Sequence, residues 1–137
     1  MDIVITKKEM ERINLCLNKM VSSSSAQCVL LIDRSGQLIA HRGNTPAIDI
    51  TALSALTAAN FGATAEIARL LGEEEFTLLF HKERTENVYF STIGDHTIMV
   101  TLFNDKTSLG LIRLRVNKIV TELSKIVSSI FEKARVQ

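Results

Sequence analysis

Sixteen consecutive residues, Ile50 to Ala65, carry no charged side chain, inside a stretch that otherwise reads as a helix. The stretch runs from Asp49 to Leu71 and is dominated by Ala, Leu and small polar residues. Ala and Leu favour helix, Asp49 is placed to cap a first turn, and Gly72 supplies the left-handed residue that commonly ends one. A surface helix normally pairs an apolar stripe with a charged back. Here Leu53, Leu56, Ala59, Ala63, Ile67 and Leu70 are read on one side and Ala55, Ala58, Gly62 and Ala65 on another, so both sides call for cover.

Three environments would supply it: a large core, a membrane, or a partner. A membrane span needs about 20 mainly apolar residues, and Asp49, Thr51, Ser54, Thr57, Asn60 and Thr64 interrupt this one. The chain has 137 residues, read as one domain over its whole length, and a domain of that size hardly encloses such a helix on every side. A second chain is therefore expected against it, with the small residues allowing close backbone approach. Gly62, which costs a helix about 1 kcal/mol relative to Ala, points to close packing at that position. Thr57, Asn60 and Thr64 form a polar file that is either a solvent strip or the part a partner reads.

The rest of the chain supplies the scaffold. Thr6 and Glu9 form a capping box, with Ile5 and Met10 as its staple, and Met10, Ile13, Leu17 and Met20 recur at helical spacing behind it. Gln27 to Asp33 reads as a strand, Arg34-Ser35-Gly36 as a turn, and Gln37 to Arg42 as a return strand near an edge. After the uncharged helix, Phe76 to His81, Asn87 to Thr92 and His96 to Phe103 read as three strands in meander. Ser108 is placed to cap a long last helix whose apolar stripe, Ile112 to Ile130, is wide enough for a sheet. The fold class is α+β, in the order α-β-β-α-β-β-β-α.

Little in the sequence points to chemistry. His41, His81 and His96 have no carboxylate or cysteine beside them at metal-ligand spacing, no phosphate loop or nucleophile elbow occurs, and no catalytic, metal or cofactor site is expected. Asp33, Arg34 and Arg84 are read as solvated loop residues. The hydrophobic share of 46% excludes disorder. A net charge of +1 gives no basic field for nucleic acid and no like-charge run for a membrane surface, so neither nucleic acid nor membrane insertion is expected. Cys16 and Cys28 are read as small buried hydrophobes in a reducing, cytoplasmic setting, and the N-terminus has no targeting pattern.

The element order, with Leu-Leu-Ile-Asp-Arg-Ser-Gly (Leu30 to Gly36), Ala-Ala-Asn-Phe-Gly-Ala-Thr (Ala58 to Thr64), Ile-Ala-Arg-Leu-Leu-Gly-Glu (Ile67 to Glu73) and Thr-Ser-Leu-Gly-Leu-Ile-Arg (Thr107 to Arg113), resembles the Roadblock family of dynein-light-chain-like proteins. It is most similar to the bacterial MglB-type members. The resemblance implies a five-stranded antiparallel sheet with the central helix on one face and the terminal helices on the other. It implies a homodimer in which central helices and third strands pair, through Ala55, Ala59, Gly62, Phe76, Leu78 and Phe80 here. It further implies a platform for a small Ras-like GTPase of MglA type, read by Thr57, Asn60, Thr64 and Ala68, whose hydrolysis is activated by repositioning the GTPase's own residues. The alternative within the fold is a scaffold that anchors a GTPase or motor without changing its rate; a small-molecule sensor and a small enzyme rank behind both. Some MglB-type proteins use a C-terminal extension against the GTPase, whereas this sequence stops at Gln137, which bears on activation more than on binding.

Overall fold

The computed structural model describes residues 3–44, 49–72, 76–81 and 85–136, with the side chains of 64, 65, 68, 76–81, 85, 86, 135 and 136 outside the description. Its elements are α1 (Lys7–Ser24), β1 (Cys28–Asp33), β2 (Leu38–Gly43), α2 (Ile50–Leu70), β3 (Phe76–His81), β4 (Thr85–Ile93), β5 (Thr97–Asn104) and α3 (Leu109–Val136). This is the order expected from the sequence.

Local polar chemistry starts each helix. Thr6 Oγ1 accepts from Glu9 N at 3.1 Å while Thr6 N donates to Glu9 Oε1 at 3.0 Å, so the capping box closes and satisfies two orphan donors. Asp49 Oδ1 accepts from Ala52 N at 3.0 Å at the head of α2, and Ser108 Oγ accepts from Leu111 N at 3.2 Å at the head of α3. Gly72, at φ +79°, turns the chain out of α2.

The strands form one antiparallel sheet in the order β2-β1-β5-β4-β3. β1 lies between β2 and β5, and all six of its residues are buried, which explains a short apolar run without alternation. β2 and β3 are the two edges. At the β1–β2 turn Asp33, read from the sequence as a solvated loop residue, is instead buried at the end of β1, where its Oδ1 accepts from the backbone of Ser35 and Gln37, each at 3.0 Å, fixing the reversal.

Alternation sorts the core into two layers. Val29, Leu31, Met99 and Phe103 point toward α1 and α3, where they meet Ile13, Leu17, Met20, Ile112, Leu123 and Ile126. Leu30, Ile32, Val88, Phe90, Ile98 and Val100 point the other way, where they meet Phe61, Leu53 and Ile50 of α2. One helix therefore covers one face of the sheet and two cover the other. Lys133 Nζ reaches Glu9 at 2.8 Å, so the end of α3 lies beside the start of α1 and the two helices run antiparallel. Among the described residues no helix is long and apolar enough to cross a membrane.

Candidate interaction face

Which side of α2 meets the sheet is set by its bulkiest buried residue. Phe61 is 7% exposed and reaches the sheet core, and Arg34 from the β1–β2 turn lies over its ring, guanidinium carbon 5.7 Å from the centroid. Ser54 and Thr57 share that side, two turns and one turn earlier; both are buried, and Ser54 Oγ donates to Ile50 O at 2.7 Å. The same turn brings Gly36, at φ +100°, under the helix, where an added Cβ would lie 3.1 Å from Ala55 Cα. A side chain there would lift α2 off the sheet.

The opposite side of α2 is bare in the single chain. Leu56 is 62% exposed, Ile67 59% and Leu70 72%, and Leu71 follows at 75%. Ala59, Asn60, Gly62 and Ala63 are exposed among them, Ala55 is exposed at the flank beside Gly36, and among the described residues nothing beyond the helix's own neighbouring backbone lies within 4 Å of where a Gly62 Cβ would stand. The charged pair on this side balances itself: Arg69 donates to Glu66 three residues earlier, and each holds the other's charged form, with the Glu66 carboxyl lowered and the Arg69 guanidinium raised. The result is a neutral, apolar, low-relief surface at least three turns long.

Against the sequence reading, the phase of the helix differs. Leu53, expected on one stripe with Leu56 and Ile67, is half-buried toward the sheet, and the others face out. The polar file also splits. Thr57, expected among the partner-reading residues, is 8% exposed and lies one turn before Phe61 on the inner side. Asn60 stays exposed and donates Nδ2 to Leu56 O at 2.7 Å. The side chains of Thr64 and Ala68 lie outside the described residues. So do those of Phe76, Leu78 and Phe80, whose strand β3 ends the sheet and pairs within the chain with β4 alone. Gly62, read as a point of close packing, is open among the described residues of its own chain.

Hollows also occur elsewhere among the described residues. An open cleft of about 510 Å³ lies between Ile3, Ile5, the start of β2 and Thr51, and a smaller one of about 90 Å³ lies beside Asp95, His96, Ser128, Phe131 and Glu132. Among the described residues the lining of the first has no titratable side chain, and in the second His96 is stacked on Phe131 at 4.7 Å. Among the described residues no three His, Cys, Asp or Glu side chains gather as a metal site.

A five-stranded antiparallel sheet between one helix and an antiparallel pair, with exposed apolar side chains along the lone helix, defines the class of this α+β domain. The Roadblock/LC7 domain profile matches residues 12–103, and the chain belongs to that family. Among solved structures it is similar to Myxococcus xanthus MglB, at 36% identity and TM-score 0.77, covering 93% of this chain and 96% of that one. The gliding protein MglB from Thermus thermophilus is 29% identical at TM-score 0.78, over 93% and 97% of the two chains. An MglB with a tetrameric arrangement is 28% identical at TM-score 0.80, over 94% and 97%. No curated protein sequence matches significantly.

Proposed function

We propose that this protein is a homodimeric regulator of a small Ras-like GTPase of MglA type and acts in the cytoplasm by repositioning the GTPase's own catalytic residues. The observation that carries the reading is the bare outer side of α2, where Leu56, Ile67 and Leu70 stand in water beside an open Gly62. Leaving so much apolar surface exposed is costly unless a second copy covers it. Ala55, Ala59 and Gly62 would let two such helices approach closely, while the β3 edge, with Phe76, Leu78 and Phe80, would extend one sheet into the next. Asn60, Thr64 and Ala68 remain the residues assigned to the GTPase; Thr57, being buried, supports the helix from below.

Such a partner contributes no chemical group. It binds the hydrolysis-competent conformation of the GTPase more tightly than the others and shifts the population toward it. This fits a face made of alanines, leucines and an asparagine. Similarity to MglB structures over almost the whole chain supports the same reading.

Single-turnover GTP hydrolysis by an MglA-type GTPase tests it. Acceleration by the wild-type protein and none by Gly62→Arg is expected. An unchanged rate despite binding would leave an anchoring scaffold in place of an activator.

A further inference from the structure

The net charge of +1 conceals a segregation that only the fold makes visible. The sequences of α1 and α3 hold ten Lys and Arg against four Glu, a net of +6, so the remainder of the chain carries six against eleven, a net of −5. Both helices lie on the same face of the sheet, antiparallel and side by side, and α3 alone runs about 40 Å. Their outward sides therefore make one broad basic surface. Lys8, Arg12 and Lys19 of α1 and Lys118 and Lys125 of α3 are all exposed on it. Its carboxylates are few: Glu9 is held by Lys133, and Glu11, Glu122 and Glu132 are exposed among the cations.

Two large apolar side chains project from this same surface. Leu15 is 54% exposed, three residues after Arg12 and four before Lys19, and Leu114 is 49% exposed, four residues before Lys118. Each thus stands on a helix face beside cations, one apolar prong per helix. We propose that the outer surface of the α1–α3 layer docks on an anionic lipid membrane, with the basic side chains at the headgroups and Leu15 and Leu114 entering the acyl boundary.

Charge complementarity selects an anionic partner, and the leucines select among anionic partners. Nucleic acid offers no apolar phase for them, and single strands are held chiefly by exposed aromatic rings. This chain has no Trp, its one Tyr, Tyr89, is buried, and Phe131 of α3 is 7% exposed. A basic surface that also carries protruding leucines matches the interfacial mode, in which electrostatic attraction and shallow apolar insertion act together. The docking is peripheral and does not rest on the GTPase reading. Under the pairing proposed above, joined β3 edges would place both basic layers on the same side, opposite the α2 platform, and double the charge facing the bilayer.

Co-sedimentation of the full chain with phosphatidylcholine vesicles, with and without phosphatidylserine, tests the proposal. Pelleting is expected only with phosphatidylserine and should weaken as salt is added. The variant with Lys8, Arg12, Lys19, Lys118 and Lys125 each changed to Gln should bind these vesicles at least about tenfold more weakly. Leu15→Ser with Leu114→Ser should weaken binding severalfold while leaving retention on a cation-exchange resin unchanged. Both variants alter exposed positions on the side away from α2, and each should keep the wild-type effect on GTP hydrolysis, so the two readings fail separately. No pelleting with phosphatidylserine, equal pelleting without it, or binding to duplex RNA with none to vesicles would overturn the proposal.

Discussion

Lys133 Nζ lies 2.8 and 2.9 Å from the two carboxylate oxygens of Glu9, tying the last turns of α3 to the first turn of α1. Glu9 also closes the capping box with Thr6, so one carboxylate serves both a helix start and a helix pair. Lys133 first, and then the backbone of Thr6, hold the Glu9 carboxyl below its ordinary range. A carboxyl lowered in the folded state contributes stability that is complete above its unfolded value and is lost as pH falls through the folded one. With Lys133 46% exposed, solvent screens the pair, and Glu9→Gln should cost at most about 1 kcal/mol. In urea titrations that deficit should hold steady from neutral pH down to about pH 5 and close below about pH 4. A deficit independent of pH would assign the whole effect to the neutral capping bonds.

Two glycines predict opposite outcomes for the same substitution. Gly43 has φ +101°, and an added Cβ would stand 2.4 Å from Gln27 O and 2.8 Å from Cys28 Cα, both backbone atoms. Gly43→Ala should therefore destabilise by about 2 kcal/mol or more. Among the described residues Gly62→Ala meets nothing within 4 Å. At dilutions where single chains dominate, it should be neutral or gain up to about 1 kcal/mol from helix propensity. Thermal or urea unfolding of the two variants separates them.

The cysteines should be silent in the folded protein. Both are free and buried; burial pushes the Cys28 thiol up to about 11 and also raises that of Cys16. Because the thiolate is the reactive form, neither should be labelled by a thiol reagent at neutral pH until denaturant is added, after which both should react. Rapid labelling of the native protein would contradict the packing around β1.

Changing the outer leucines should break association without harming the fold. Leu56→Glu with Leu70→Glu alters side chains that are 62% and 72% exposed, so the stability of the single chain should stay within about 0.5 kcal/mol of wild type. Self-association should weaken at least about tenfold, because charge would be buried unpaired at the interface. A variant that associates as tightly as wild type would remove α2 from the interface.

Local signals are the ones the sequence expresses clearly. Thr6 with Glu9, Asp49 and Ser108 cap helices through residues three apart, so finding them needs no knowledge of the fold. The surplus of apolar surface on α2 is equally visible as a run without charge. Its rotation is not. A helix that is small or apolar most of the way round gives its pattern little phase, and the sheet-facing side is decided by Phe61 and by the approach of Gly36, contacts between segments well separated in the chain. For this reason the sequence groups Thr57 with Asn60, although in the fold Thr57 is buried and Asn60 is exposed. The basic layer escapes for a related reason: net charge sums over the chain, whereas α1 and α3 come together only when the sheet assembles.

Sedimentation equilibrium across micromolar concentrations tests the central claim most directly. The wild-type chain should run at about twice its mass of 15.2 kDa and Gly62→Arg at about that mass, with equal helix content. A wild-type protein that remains a single chain, or a Gly62→Arg variant that still pairs, would contradict the account of α2 as a shared face.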